Sequence, residues 1–490
     1  MGEVQLKTKT IVKNRAVELV LFMLLLLLYL GKQLPTINNP PWENYETWRQ
    51  GDTYSIAVNF YQYEYHILRP QLNYDGPGDN YVQLEFQIMP FLAATLFRLL
   101  KSTAPAIPRA INLILFLGSA AYTYGIMRKF AGMLPSLCGL AIYLFMPITL
   151  LYSRAIMPES SALFFYCGGV YYLLKWYLYN NRVSVWISAF FVAIAITQKT
   201  PTLFVGILIL IAFLWKLKKD CIRSFTFYGY GAIALGIPAA YYSYASRIAV
   251  FHFVNGITAK HILTDEIFSV FTKKGISFFL SSPPRNFGWV VILFAGAGFL
   301  LTFTKERRFI LVWALSFGLE WATIVAAIKF GYYLIFMAPV FSVLCAIVLS
   351  DLLKWKKQIA VYGAVLLVCW TAYAGIRQSN SLVKPHEKIE AIAAFLSNHT
   401  REEDIIAIAA LNPVYLNAAN RRGYRANLKY YDYIPQEPRD EIRYFMDHGV
   451  TWFLVIGSSI PDDDAGYLDY LEKNYAVANS DDNCILFRLE

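Results

Sequence analysis

Charge placement between long apolar runs constrains this chain more than any other feature. From Arg128 to Lys357, stretches of about 20 apolar residues, enough to cross a bilayer as a helix, alternate between two kinds of connection. One kind is short and basic: Arg128-Lys129, Arg182, Lys216/Lys218/Lys219, Lys305/Arg307/Arg308 and Lys354/Lys356/Lys357. The other holds polar and aromatic residues with few charges: Tyr152 to Glu159, Gln198 to Pro201, Lys329 to Tyr333, and the longer His252 to Arg285, where Lys273-Lys274 are accompanied by Asp265-Glu266. Basic loops stay in the cytoplasm. The second set therefore shares the opposite face, and chemistry is expected there.

Of 490 residues, 57% are hydrophobic and 16% charged, a balance no soluble domain requires. The net charge of +10 sits in loops between spans, where topology accounts for it and anionic lipid can attract it; nucleic acid is not implied. Five Cys lie in or beside apolar runs and Cys484 in the polar tail, so neither a disulfide framework nor a zinc site is expected. The run Ala16 to Leu30 follows Lys7, Lys9, Lys13 and Arg15 without a small-residue cleavage site after it, and reads as a signal anchor and first span.

The apolar segment Phe86 to Leu100 decides the topology. If it spans, the five basic clusters fall opposite the basic N-terminus; if it lies in the interface, all share one side. The second reading is adopted. Later spans are then about 111–126, 134–151, 161–179, 183–196, 203–217, 225–245, 287–303, 309–327, 334–352 and 359–374, eleven with the first. From Arg377 the composition turns polar. His386 to Glu490 reads as a small α/β domain, with β-rich runs at Asp404 to Ala410, Thr451 to Ile456 and Cys484 to Arg488, and helices over Ile389 to Leu396 and Arg439 to Asp447. The expected architecture is an α-helical polytopic membrane protein of about 11 transmembrane helices. Residues 1–376 form the membrane domain, with interfacial helices in the first outer loop, 32–108, and residues 377–490 form an extracytoplasmic α/β domain.

Several polar residues fall on the outer face. Asp52 stands just ahead of an aromatic, partly amphipathic stretch to Tyr65. It suits a helix N-cap or a general base for an acceptor hydroxyl or amine, worth roughly 10²–10⁴-fold. Glu85 opens the interfacial helix, as compensation of its dipole or as a site residue. Arg109 suits phosphate by its planar fork or the interface as a snorkelling anchor. Arg154 and Glu159 flank Pro158, and a salt bridge between them is the plain account. Lys199, ahead of Pro201, and Lys329, ahead of Tyr332 and Tyr333, are cations on a face where cations are depleted; each anchors the interface or meets an anion. Asp75 and Asp79 flank Gly76-Pro77-Gly78, a plain turn, and no Asp-x-Asp lies beside Asp52, so no divalent metal is demanded. Jointly, a carboxylate and several cations on one membrane face fit sugar transfer from a lipid phosphate. The carboxylate deprotonates the acceptor and the cations stabilise the departing phosphate.

On Asp52, Leu84-Glu85-Phe86, Arg109, Ser153-Arg154…Met157-Pro158-Glu159, Lys199 with Pro201, and Lys329…Tyr332-Tyr333…Pro339, the chain resembles the GT-C superfamily of membrane glycosyltransferases. The branch is that of protein O-mannosyltransferases and the lipid A aminoarabinose transferase. The resemblance implies a hexosyl- or pentosyltransferase that takes a sugar from a polyprenyl-phosphate donor and inverts at the anomeric carbon. It implies Asp52 as general base, Arg109 on the carrier phosphate, and Lys199, Lys329, Tyr332 and Tyr333 lining the donor pocket. Arg154, Glu159 and Glu85 are site residues or their supports. The acceptor is a lipid, glycan or protein, no cofactor is implied, and the setting is a plasma (inner) membrane with the site on the periplasmic side. The sequence departs from relatives in having Thr53 after Asp52 and Gln87 after Glu85-Phe86. The competing class is a flippase, transporter or polymerase of lipid-linked saccharides; a transporter expects ionisable groups within spans, and Glu320 is the main one.

Overall fold

The structure is a computed structural model describing residues 2–76, 78–426, 434–435, 437–457 and 466–489, with side chains from residue 15 on. Pro77 of the expected turn and the side chains of Lys7, Lys9 and Lys13 lie outside these. The chain divides into two compact units. A helical unit takes residues 1–37, 109–244 and 254–381; a sheet unit takes 38–108, 245–253 and 382–490.

Each of the eleven apolar runs is mostly helical. Among the described residues, six helical segments are long and apolar enough to cross a membrane: Arg15–Thr36, Ala106–Phe130, Thr200–Arg223, Arg308–Ile328, Gly331–Trp355 and Lys357–Leu382. The chain is a multi-pass membrane protein. Met133–Phe145, Arg182–Gln198 and Trp289–Leu300 are shorter apolar helices. The run expected as one helix over 134–151 is broken. Met146 takes ψ 144° ahead of Pro147, whose ring disfavours the helical conformation before it, and Pro147 then opens the short helix Pro147–Tyr152. Chain breaks of this kind free backbone carbonyls inside the unit for side chains to hold.

The sheet unit is built on five strands: β1 (Ile405–Ile408), β2 (Arg422–Arg425), β3 (Val450–Ile456), β4 (Ala476–Ser480) and β5 (Cys484–Arg488). Their order is β2-β1-β3-β5-β4. β1 runs parallel to β2 and β3, while β5 is antiparallel to β3 and β4. Alternation along β1 splits the core. Ala407 and Ala409 pack with Phe453, Val455, Ile442 and Phe445 on one face. Ile406 and Ile408 pack on the other with Leu416, Leu396 and, from the first loop, Ile56, Phe60, Leu72, Val82 and Leu84. The first loop thus completes one hydrophobic face of the C-terminal sheet. It contributes the helix Thr47–Gln62 and the helix Ile88–Leu100. The latter, 13 residues and so about 20 Å long, buries Met89, Ala93, Ala94 and Phe97 and exposes Leu92, Leu99 and Leu100. It is too short to cross a bilayer alone.

Candidate functional site

Asp52 lies in the second turn of Thr47–Gln62, not ahead of it. The helix starts earlier, with Glu46 at the N-cap position and no side-chain cap, so the capping role is excluded. The residue is 4% exposed. Tyr74 donates its hydroxyl to Oδ2 at 3.0 Å, and the Asn417 amide donates Nδ2 to Oδ1 at 2.9 Å. Burial pushes the Asp52 carboxyl from its ordinary value of 3.8 up to about 6; the Tyr74 hydroxyl, the Arg49 charge, the Asn417 amide and the Arg425 charge pull it part of the way back. The same burial, with Asp52 beside it, drives the Tyr74 phenol well above its usual range, so Tyr74 stays a donor. A buried carboxylate held by neutral donors and titrating close to neutrality is poised for proton transfer.

Glu85 stands before the helix Ile88–Leu100, whose N-cap is Gln87. It therefore does not compensate that helix's first turn. It pairs instead with Arg49, one turn ahead of Asp52 on the same helix. Asp75, read above as flanking a plain turn, is buried against Arg425 in β2. Among the described residues no three His, Cys, Asp or Glu side chains converge as a metal site.

In the helical unit a second cluster forms around Lys199. The residue is extended (φ −154°, ψ 114°) between the helix Arg182–Gln198 and the turn Thr200–Phe204. This break, next to Pro201, turns its side chain into the unit, where it is 2% exposed. Its ammonium lies 3.0 Å from Glu159, an ion pair by proximity rather than an aligned hydrogen bond, since neither Glu159 oxygen meets hydrogen-bond geometry. The rings of Tyr332 and Tyr333 stand 5.0 and 5.1 Å from the same ammonium, within cation–π range. Both tyrosines sit in the 3-10 turn Gly331–Met337.

Glu159's ion pair is thus with Lys199. Arg154 directs its guanidinium to the Thr36 carbonyl. The loop between Tyr152 and Glu159 is held by the helix Ala106–Phe130: Arg109 donates to the Arg154 carbonyl at 3.4 Å, and Asn112 to those of Ala155 (2.5 Å) and Met157 (3.1 Å). Arg109 is fully buried. Lys329, in a left-handed conformation at φ 59°, folds its ammonium back onto the Ala327 carbonyl at 3.1 Å. The helical unit thus brings together Glu159, Lys199, Tyr332 and Tyr333, and separately Arg109 and Arg154; the sheet unit links Asp52 and Glu85 through Arg49. Sequence reasoning missed Tyr74, Asn417 and Arg425, and no local pattern marks them.

No family model matches the chain, and no curated protein matches it in sequence. Solved structures match its fold. ArnT from Cupriavidus metallidurans bound to undecaprenyl phosphate has a TM-score of 0.66 at 12% identity, over 99% of this chain and 98% of that one. The oligosaccharyltransferase of Archaeoglobus fulgidus has a TM-score of 0.60 at 13% identity, over 90% and 69%. The arabinofuranosyltransferase AftD from Mycobacteria has 0.55 at 12%, over 97% of this chain and 40% of its own. All three are GT-C glycosyltransferases. At such identities the likeness is one of fold, and the fold is the one the sequence resemblance implied.

Proposed function

We propose that this protein is an inverting glycosyltransferase that moves a sugar from a polyprenyl-phosphate donor to a lipid, glycan or protein acceptor, with Asp52 as general base. The observation that carries this reading is the buried Asp52 carboxylate held by Tyr74 and Asn417, with burial pushing it up to about 6. A base of that strength accepts the acceptor's proton as its oxygen or nitrogen attacks the anomeric carbon, while the carrier phosphate departs with the bonding pair. Leaving-group charge asks for cations, and Arg109, Lys199 and Lys329 are the candidates, with Tyr332 and Tyr333 bounding the lysine. The near full-length match in fold to a protein solved with undecaprenyl phosphate supports a donor of that class.

The decisive experiment follows radiolabelled sugar from polyprenyl-phosphate donors in membranes carrying the wild type or Asp52→Asn. Transfer by the variant should fall by at least ~10²-fold with protein level unchanged; transfer at the wild-type rate refutes the assignment. The eleven-span topology, with the sheet unit outside the cytoplasmic membrane, is part of the same proposal. A cysteine replacing Asp79 should react with an impermeant thiol reagent added outside, and one replacing Lys305 should not. One observation favours the transporter alternative. Glu320 is fully buried within a span, with neither oxygen hydrogen-bonded to a described residue, beside the π turn Trp321–Val325, a feature frequent at functional sites. Glu320→Gln abolishing movement of lipid-linked sugar across the membrane, with Asp52→Asn silent, would decide for it.

A further inference from the structure

In the sheet unit the two residues that hold Asp52 come from segments far apart in the chain. Tyr74 is placed by the sheet edge. Its backbone bridges Gly423 in β2, and the Gly423 amide donates to the Asn73 carbonyl at 2.9 Å. Only glycine serves there, because a Cβ at 423 would fall 1.7 Å from the Ile406 carbonyl oxygen. The following residue, Asp75, is left-handed at φ 64° and pairs with Arg425, whose guanidinium covers the Tyr74 ring at 4.5 Å. Asn417 rides on the short helix Val414–Ala419, which packs against Gly51, the residue before Asp52.

We propose that the C-terminal α/β domain supplies a positioning residue of the base: Asn417, whose amide holds and orients the Asp52 carboxylate. The inference rests on the general-base reading above. Its geometric support is the way the amide is used. Nδ2 donates to Asp52, while the buried Oδ1 has no hydrogen-bond partner among the described residues. An unmet buried acceptor is costly, yet the reverse orientation would set two oxygens 2.9 Å apart. Donating in this orientation, the amide favours the charged form of Asp52. The charged and titratable groups around Asp52 are Arg49 on its own helix, which also pairs with Glu85, Tyr74 from the first loop, and Arg425 from β2, itself neutralised by Asp75. The direct contacts are therefore uncharged. Neutral donors fix the carboxylate without stripping its affinity for a proton, which a direct arginine pair would do.

The test uses the full-length protein in lipid nanodiscs. The infrared band of a protonated carboxyl is assigned to Asp52 by its loss in Asp52→Asn and titrated against pH. Asn417→Leu, close in size, removes a hydrogen bond that favours the charged form, so the Asp52 midpoint should rise by about one pH unit; Tyr74→Phe should act in the same direction. If the reading of function holds, the acid limb of the transfer rate moves with it, and kcat falls while KM holds. An unchanged midpoint in folded Asn417→Leu overturns the inference. A shifted midpoint in a protein that transfers no sugar upholds the positioning and removes the glycosyl-transfer reading instead. Should Asn417→Leu not fold, Asn417→Asp decides. A second carboxyl at that contact must share a proton with Asp52 and titrate in two coupled steps; a single ordinary step overturns the inference.

Discussion

In the sheet unit the buried carboxylate of Asp52 meets two uncharged donors; in the helical unit the buried ammonium of Lys199 meets an acid and two aromatic faces. Both side chains are almost fully shielded from solvent. They differ in what shielding does to them. A carboxylate whose direct contacts are neutral dipoles, with the arginine charges farther off, keeps much of its desolvation cost, and so keeps its appetite for a proton. An ammonium facing a carboxylate and π clouds has its charge compensated and its geometry set. The first arrangement suits a group that must change protonation; the second suits a cation of constant charge. The Asp75–Arg425 pair within the sheet unit makes the same point, since it compensates itself and leaves Asp52 to the neutral donors.

This contrast can be broken experimentally. The largest expected effect is in the helical unit. Lys199→Met strands the Glu159 carboxylate and should destabilise the protein by about 3–5 kcal/mol, whereas the double variant Lys199→Met/Glu159→Gln should recover most of that loss. Thermal unfolding in detergent reads the difference; equal losses in the single and double variants would mean that Glu159 does not compensate Lys199. In the sheet unit the sign reverses. Burial pushes the folded Asp52 carboxyl up to about 6, against 3.8 as its ordinary value. Its contribution to stability is therefore full below about pH 4 and lost as pH rises through 6. Asp52→Asn should accordingly stabilise the protein by on the order of 3 kcal/mol at pH 8 and hardly at all at pH 4. An inactive variant that is no more stable at pH 8 would place the residue in a structural role. The smallest effect concerns Gly51. A Cβ there would stand 3.4 Å from Val414 and from the Asn417 amide, at ordinary contact. Gly51→Ala should thus keep the base in place and gain up to about 1 kcal/mol of helix propensity, whereas Gly51→Leu should push Asn417 away and lower transfer as Asn417→Leu does.

Legibility differed from element to element for identifiable reasons. The strands β1, β3 and β5 and the helices Glu387–His399 and Pro438–Asp447 show in the sequence, because buried β-branched runs and an amphipathic period leave local marks. β2 does not: Arg422-Gly423-Tyr424-Arg425 is a strand because Gly423 admits the first loop and Arg425 meets Asp75. β4, largely exposed at the sheet edge, has no apolar face to read. The helix of Asp52 begins five residues before it because packing, not a cap, sets its start. Lys199 stood out in the sequence as a lone cation in a polar, aromatic connection, and in the structure its ammonium is buried beside Glu159. Its partner Glu159 was legible as a charge, but was expected to pair with Arg154 nearby.

The sequence by itself determined where the chain is apolar enough to enter a membrane, where basic clusters alternate with polar and aromatic connections, and which few charged residues stand out against that alternation. These are properties of composition along a line, and hydration energies decide them residue by residue. Which donors surround Asp52, which acid meets Lys199, and that the first loop completes the core of the C-terminal sheet were decided only by tertiary structure. Such contacts join residues up to 365 positions apart. Their free energy comes from burial and hydrogen-bond geometry that exist only once the segments meet, so nothing in a local stretch of residues can record them.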